Sequence, residues 1–230
     1  MKNKFAKIAL MSGLLALVFT YGCSSDNGGS GGNSGSSEAD TLSYNGKTYK
    51  TVKIGDQRWM SENLNYDTTD SKCYNNNEAN CEKYGRLYNW TAAVSVCPPG
   101  WHLPSNKDWD KLYHYVDGND YNGDDDNDDD DGLYLYESPT AGGHLKATSG
   151  WDNGGNGKDK CGFAALPGGF GSSIATFYNL GSRAFWWSSS PSYNNNAYSR
   201  GMYHDNEHAN WFEDIKTYYF SVRCLQNQPK

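Results

Sequence analysis

A strand-like alternation of polar and apolar residues opens the foldable part of the chain. It runs through Tyr44–Ile54 and includes the pair Asn45-Gly46, which suits a type I′ turn, so a β-hairpin is predicted. A second turn signal at Gly55–Gln57 leads into the short stretch Arg58–Met60. The pattern therefore predicts antiparallel strands at the start of the domain.

Helical periodicity appears in two segments. Apolar residues fall on one helical face of Tyr84–Cys97, which Pro98 terminates. A second set recurs at i, i+3, i+4 and i+7 between Ser105 and Gly118. Ser105 and Asp108 resemble a capping box with Asp in place of Glu. Two amphipathic helices are therefore predicted.

Beyond Gly118 the pattern indicates loops and short strands. The predicted strands are Phe163–Leu166, Ala184–Ser188, Ala197–Tyr203, Asn210–Ile215 and Tyr219–Cys224. Aromatic residues make up 15% of the chain, and its 26 glycines suit turns and loops. These features favour a β-rich, loop-heavy domain.

Residues 1–23 have the pattern of an export signal. A basic start, Lys2–Lys7, precedes the apolar run Ile8–Phe19. Twelve helical residues span about 18 Å, less than the ~30 Å hydrocarbon core, so a permanent transmembrane helix is disfavoured. The run leads to Gly22-Cys23-Ser24, which is similar to a bacterial lipobox and implies a lipid on Cys23. An ordinary cleaved secretory signal is the alternative.

The position after the lipidated cysteine bears on localisation. Ser24 there implies sorting to the outer membrane, and we expect display at the cell surface. Residues 24–40 consist almost entirely of Ser, Gly, Asn and acids, which predicts a flexible tether. Residues 41–230 are long enough for one domain with a sizeable core.

The acidity of the chain is a local feature. All 27 acidic residues follow Cys23, against 17 of the 20 basic ones, and nine of the acids lie in Asp117–Asp131. The absence of a basic patch in the sequence disfavours nucleic acid as a partner. The acidic insert, 117–132, is either a solvated flexible segment or a weak calcium site. An EF-hand template places Asn127, Asp129 and Asp131 at its first three ligand positions, but its final acid, Glu137, comes one residue early.

Cysteine usage fits an exported protein that forms disulfides. Five cysteines remain once Cys23 is set aside, and several pairings are open. Their spacing favours a bridge between Cys73 and Cys81, and the odd number predicts that one thiol is left over.

The segment His204–His208 matches the H-x-x-E-H signature of some zinc proteases. Such a zinc site needs both histidines on one helical face. The flanking segments Ala197–Tyr203 and Asn210–Ile215 resemble strands, so the pattern favours a hairpin tip over a catalytic zinc site.

Eight motifs occur in an order that resembles a known family. They are Tyr49–Gly55, Trp59–Asn65, Cys73–Tyr88, Cys97–Ser105, Leu145–Trp151, Gly162–Gly168, Trp186–Ser189 and Phe220–Cys224. In sequence and order they resemble the Fibrobacter succinogenes major paralogous domain (FISUMP) family, over about Tyr44 to Cys224. That family is similar to C-type lectin-like domains and to formylglycine-generating enzymes.

The resemblance implies a fold class and a second disulfide. The expected fold is α+β and C-type lectin-like, with two helices, short antiparallel sheets, long loops and stabilising disulfides. In such domains one bridge ties the first helix to the last strand, which implies Cys97–Cys224. Cys161 is then the expected odd thiol.

The expected function is that of a non-enzymatic binding or adhesion module on the cell surface. Its ligand would be a polysaccharide or a protein, and its lipid would make the membrane a further partner. Aromatic faces stack on sugars, which makes one group of residues candidates for the binding site. These are Tyr198, Arg200, Tyr203 and Trp211. The alternatives are a hydrolase or modifying enzyme related to the formylglycine-generating branch, and a structural cell-envelope protein.

Overall fold

The computed structural model describes residues 41–119 and 135–228, which form mostly β-structure. The predictions for Cys23, for the tether 24–40 and for the calcium ligands Asn127, Asp129 and Asp131 lie outside the described residues. Within the described part of the chain, no helix is long and apolar enough to cross a membrane.

The described residues contain thirteen strands and four α-helices. The strands are β1 (Thr41–Tyr44), β2 (Lys47–Ile54), β3 (Gln57–Met60), β4 (Ser71–Lys72), β5 (Leu87–Tyr88), β6 (Trp101–His102), β7 (Phe170–Gly171), β8 (Phe177–Tyr178), β9 (Arg183–Pro191), β10 (Asn196–Tyr203), β11 (Asn210–Ile215), β12 (Phe220–Ser221) and β13 (Leu225–Gln226). The helices are α1 (Glu78–Tyr84), α2 (Trp90–Ala93), α3 (Asn106–Asp117) and α4 (Ala141–Leu145).

The strands assemble into three sheets. A five-stranded sheet has the order β1-β2-β3-β13-β6, a six-stranded sheet the order β11-β10-β9-β12-β5-β4, and β7 pairs with β8 alone. All of these pairings are antiparallel except that of β12 with β9. The first and last strands therefore lie in one sheet, and the consecutive strands β9 to β11 lie in another.

The predicted hairpin at the start of the domain is confirmed. Asn45 and Gly46 adopt φ angles of 47° and 76°, as a type I′ turn requires, and join β1 to β2. The second turn joins β2 to β3, in which Trp59 and Met60 are fully buried. Local turn chemistry and alternation were sufficient to predict this unit.

The predicted helix over Tyr84–Cys97 is wrong. Gly85, with a φ of 78°, ends α1, and β5 and the four-residue α2 occupy the rest of the segment. Asn89 caps α2 by accepting a hydrogen bond from Ala92 N at 2.9 Å. A strand followed by a short helix produced the apolar spacing of a single helix.

The second predicted helix is confirmed as α3. Ser105 Oγ accepts from Asp108 N at 3.2 Å, and Asp108 Oδ2 accepts from Ser105 N at 2.8 Å, which completes the capping box. Gly118 ends the helix in the left-handed conformation, with a φ of 74°. Its apolar face, including Trp109 and Leu112, is fully buried.

The expected C-type lectin-like α+β fold is wrong. Thirteen strands dominate the described residues, and α3 is the only α-helix among them longer than seven residues. The expectation of two principal helices depended on the segment Tyr84–Cys97, which forms only one turn of helix at α2. The architecture is mostly β, with short helices between the strands.

The strand predictions divide by strand length. β9, β10 and β11 closely match the predicted Ala184–Ser188, Ala197–Tyr203 and Asn210–Ile215. The other two are wrong over most of their length. Phe163–Leu166 contributes only an isolated bridge at Ala165, and Tyr219–Cys224 contributes an isolated bridge at Tyr219 and the two residues of β12. Short strands provide too few alternating positions to be recognised.

Two aromatic-rich clusters form the core. One lies around Trp59, Trp109 and Trp186, and the other around Trp187 and Phe220. Trp59 and Trp109 contact each other with ring centroids 4.8 Å apart. Tilted and edge-on pairs of this kind contribute about 0.5–1.5 kcal/mol beyond the area they bury.

Both proposed disulfides are confirmed. Cys73 bonds to Cys81 and Cys97 to Cys224, with S–S distances of 2.04 and 2.03 Å. The second bridge ties the segment after α2 to the segment between β12 and β13. No cysteine in the described residues is free, Cys161 included, so the expected odd thiol is wrong.

Candidate binding cleft

The four aromatic and basic candidates for a sugar site lie on β10 and β11, and two of them are buried. Arg200 pairs with Trp211 across the two strands, and Tyr198 packs edge-on to Trp211 at 6.1 Å. Arg200 is fully buried and Tyr198 is 2% exposed, whereas Tyr203 and Trp211 are partly exposed. The structure brings the group together without leaving its arginine open to a ligand.

Arg200 forms an ion pair inside the protein. Its Nη2 donates to Asp110 Oδ1 at 2.8 Å and to Asn106 O at 3.2 Å, which joins β10 to α3. Burial raises the pKa of Asp110 to about 7, although the charge of Arg200 opposes the shift. Because removing either partner would leave an uncompensated charge inside the protein, both partners are needed, and the pair holds α3 against β10.

The segment His204–His208 forms the turn between β10 and β11, as predicted. Lys146 Nζ holds this turn by donating to Tyr203 O at 3.0 Å and to Asn206 O at 2.8 Å. The histidines lie on a turn and not on one helical face, so the geometry of a zinc protease is not formed.

One group of side chains in the described residues has the spacing of a metal site, but it is bonded otherwise. Cys73, Glu78 and Cys81 place their ligand atoms within 4.8 Å of one another. The two sulfurs form a disulfide. Since a metal ligand has to be a thiolate, this group is structural.

A solvent-open cleft of about 370 Å³ lies where three parts of the chain meet. Its walls come from β2 with the loop after β3, from the end of α1 with Gly85, and from the loop 159–166. Charges of both signs line it. They are Lys47, Lys50 and Lys83, with Glu62, Glu82 and Asp159. Three cations and three carboxylates make the cleft polar and close to neutral in sum.

Asn63 forms the floor of the cleft and is 7% exposed. Its Nδ2 donates to Tyr84 O at 2.8 Å and to Ser221 Oγ at 3.3 Å. Its Oδ1 accepts from Trp186 Nε1 at 2.9 Å and from Arg223 Nε and Nη2 at 3.2 and 2.9 Å. One amide therefore joins α1, β9, β12 and the segment before β13 beneath the cleft.

Arg223 places a buried positive charge beside this floor. It is 1% exposed, and its guanidinium lies 4.1 Å from the Phe163 ring centroid and donates to Phe163 O. Burial lowers the pKa of Arg223 to about 9, while the charges of Asp159 and Glu62 oppose the shift. The two carboxylates that balance this charge thus lie on the cleft wall.

The backbone around the cleft is unusually constrained. Asp159 and Ala164 have φ angles of 41° and 51°, in the left-handed region that costs a non-glycine residue roughly 1–2 kcal/mol. Asp159 Oδ1 accepts from Ala164 N at 2.8 Å, which closes the loop between them. A β-carbon on Gly85 would lie 2.6 Å from the β-carbon of Asn63. The wall therefore keeps its shape without a ligand.

The side chains that line the cleft are suited to binding a polar ligand. Lysines and carboxylates on a preformed wall can donate and accept hydrogen bonds to a polar ligand. Sequence reasoning missed the site, because its walls come from three distant segments. Four of the eight motifs contain lining residues, so the signal lay in the motifs and not in any periodicity. They are Tyr49–Gly55, Trp59–Asn65, Cys73–Tyr88 and Gly162–Gly168.

Comparison with known proteins gives one match. The model of the Fibrobacter succinogenes major domain matches residues 52–226, more than half of the 230-residue chain. No curated protein and no solved structure matches the chain. The matched range contains the cleft floor, both disulfides and all strands from β3 to β13. The chain therefore belongs to the Fibrobacter succinogenes major domain family.

Proposed function

We propose that this protein is a non-enzymatic binding or adhesion module, exported and held at the outer membrane by a lipid on Cys23. Its ligand is a polysaccharide or a protein that presents polar groups to the cleft. The proposal combines the N-terminal sequence with the geometry of the folded domain.

One observation carries the binding role: the preformed cleft of about 370 Å³ with charges of both signs. A ligand with a single strong charge would meet like charges on more than one wall, which is unfavourable. A ligand with neutral hydrogen-bonding groups, or with charges of both signs, meets complementary partners. Because the floor and the loop 159–164 are already ordered, binding costs little conformational entropy.

The lipid anchor supports display. The basic start, the apolar run and Gly22-Cys23 favour a lipidated N-terminus, and the segment 24–40 is long enough to separate the domain from the bilayer. Mass spectrometry of the protein from membranes should find an acylated Cys23, and the Cys23→Ala variant should leave the membrane fraction. An unacylated N-terminus on the wild-type protein would refute the anchor and leave only secretion.

Binding in the cleft can be tested with a matched pair of lysines. Lys50 and Lys53 are both exposed on β2, but only Lys50 lines the cleft. Detergent-solubilised full-length protein is screened against glycan arrays and envelope proteins. Lys50→Ala or Glu82→Ala should weaken capture of the ligand found, and Lys53→Ala should not. Equal effects of the three variants would refute the cleft as the site.

A further inference from the structure

The large apolar side chains that are most exposed in the described residues lie near one turn. They are Val94 (42% exposed), Ile174 (84%), Tyr178 (45%), Tyr193 (67%) and Ile215 (41%). Val94 follows α2, Ile174 and Tyr178 belong to the β7–β8 hairpin, Tyr193 lies in the β9–β10 turn, and Ile215 ends β11. The five exposed apolar side chains therefore come from four separate segments of the chain.

Hydrogen bonds bring these segments together at the turn after β11. Lys216 O accepts from Trp90 N at 3.0 Å, and Lys216 N donates to Asn195 O at 2.9 Å. Ser173 Oγ and Thr217 Oγ1 share a hydrogen bond of 2.5 Å, which attaches the β7–β8 hairpin. We call residues 90–96, 170–178, 189–196 and 215–219 together the loop surface.

The aromatic rings of the loop surface are partly locked by packing. Phe170 stacks on Tyr218 at 6.2 Å and contacts Tyr178 at 5.4 Å. Trp90 donates through Nε1 to Ser188 O at 2.9 Å, and Lys216 Nζ lies 4.6 Å from its ring centroid. Rings held in place bind at a small entropic cost.

The loop surface contains almost no charge. Lys216 is its only charged residue, whereas charged residues make up 20% of the whole chain. Tyrosine, serine, threonine and asparagine dominate it, so apolar rings alternate with groups that donate and accept hydrogen bonds. A protein partner normally presents about a quarter of its residues as charges, and the loop surface offers nothing to pair with them. Electrostatic complementarity favours an uncharged ligand.

We propose that the loop surface binds a neutral polysaccharide, whose sugar rings stack on Tyr178 and Tyr193 while the hydroxyl and amide groups around them bind the sugar hydroxyls. The inference rests on the proposed binding function and adds a second contact area, separate from the cleft. A neutral polymer with apolar ring faces matches both the aromatic side chains and the missing charge.

The experiment measures retention of the full-length protein on an insoluble neutral β-glucan, with polygalacturonate as the charged counterpart. We expect binding to the neutral polymer that changes little between 50 mM and roughly 500 mM salt, because screening acts on charges. Tyr178→Ala with Tyr193→Ala should lower the affinity at least tenfold. The double Tyr→Phe variant keeps both rings and should retain most of the affinity.

Lys53→Ala, at an exposed residue outside both the cleft and the loop surface, serves as the control and should leave binding to the neutral polymer unchanged. The melting temperature of each variant is measured alongside, and a value close to that of the wild type shows that the fold is kept. Retention only on polygalacturonate, capture only of proteins, or unchanged affinity in the double alanine variant would overturn the inference. These outcomes leave the cleft untouched, since the paired lysine variants test it separately.

Discussion

Truncation of Asn63 to alanine should destabilise the protein more than its small volume suggests. The substitution removes five hydrogen bonds at the cleft floor. Arg223 then keeps a buried charge without its amide acceptor, and Trp186 keeps an unpaired buried N–H. Hydrogen bonds to charged groups contribute about 1.5–3 kcal/mol, and leaving a buried donor such as Trp186 Nε1 unsatisfied costs about 1–3 kcal/mol.

The lost charged hydrogen bond and the unsatisfied donor together should lower the free energy of unfolding of Asn63→Ala by about 3–5 kcal/mol. For a domain of this size that is a fall in melting temperature of roughly 6–20 °C. Urea denaturation and calorimetry of the full-length protein measure both quantities. Asn195→Ala, at an exposed asparagine whose backbone makes its contacts, is the matched control and should change stability by less than about 0.5 kcal/mol.

A second variant separates the acceptor role of Asn63 from its donor role. Asn63→Asp keeps the oxygen that faces Arg223 and adds an opposite charge, but it loses the donor to Tyr84 O and Ser221 Oγ. Its stability should lie between the wild type and the alanine variant. The reasoning is refuted if Asn63→Ala costs less than about 1 kcal/mol, the net value of a single ordinary hydrogen bond.

Three further predictions concern other parts of the fold. Replacing both cysteines of Cys97–Cys224 by serine should lower the free energy of unfolding by about 5 kcal/mol, against about 2.5 kcal/mol for Cys73–Cys81, because opening the longer loop gives the unfolded chain more entropy. Calorimetry that ranks the two bridges the other way would contradict this. In urea denaturation, Gly85→Ala should lower the free energy of unfolding by well over the ~1 kcal/mol expected for Gly46→Ala. Both glycines have a positive φ, but only Gly85 has backbone and side-chain atoms within 3.0 Å of the added carbon. Equal losses would show that close packing against Gly85 does not constrain the cleft wall. The hydrogen bond to Asp108 raises the pKa of His102, so this histidine stabilises the fold below its unfolded pKa of about 6.5 and loses that effect as pH rises through the folded pKa. Melting temperatures measured from about pH 5.5 to 8.5 should fall with pH, and His102→Gln should reduce that fall. An unchanged pH dependence in the variant would count against the pair.

The parts of the fold that the sequence predicted are those where short-range chemistry decides the structure. The Asn45-Gly46 turn and the Ser105 capping box specify their elements within a few residues, and both are confirmed. The segment Tyr84–Cys97 failed because apolar spacing alone cannot show that Gly85 adopts a positive φ and breaks the helix. Its failure also removed the main support for a two-helix fold.

The candidate site was harder to predict because burial depends on tertiary structure. Arg200 has the sequence context of a surface strand residue, yet Asp110, ninety positions earlier, holds it inside the protein. Asn63 gave no signal of its own, since its partners are up to 160 positions away. Sequence order does not show which distant segments meet, and the cleft depends on three of them.

The location of β1 has a mechanical consequence if the chain is anchored through Cys23 as proposed. β1 lies at the edge of its sheet and is held by four residue pairs to β2, and Thr41 lies at the end of the hairpin opposite the turn. Tension applied through the preceding chain would peel these pairs apart one at a time, as in a zipper, instead of shearing all four together. The strand would yield at low force and lengthen the tether, while the Cys97–Cys224 crosslink keeps the last strands from unravelling. A chain anchored as proposed would thus have an extensible link between its lipid and the disulfide-crosslinked part of the domain.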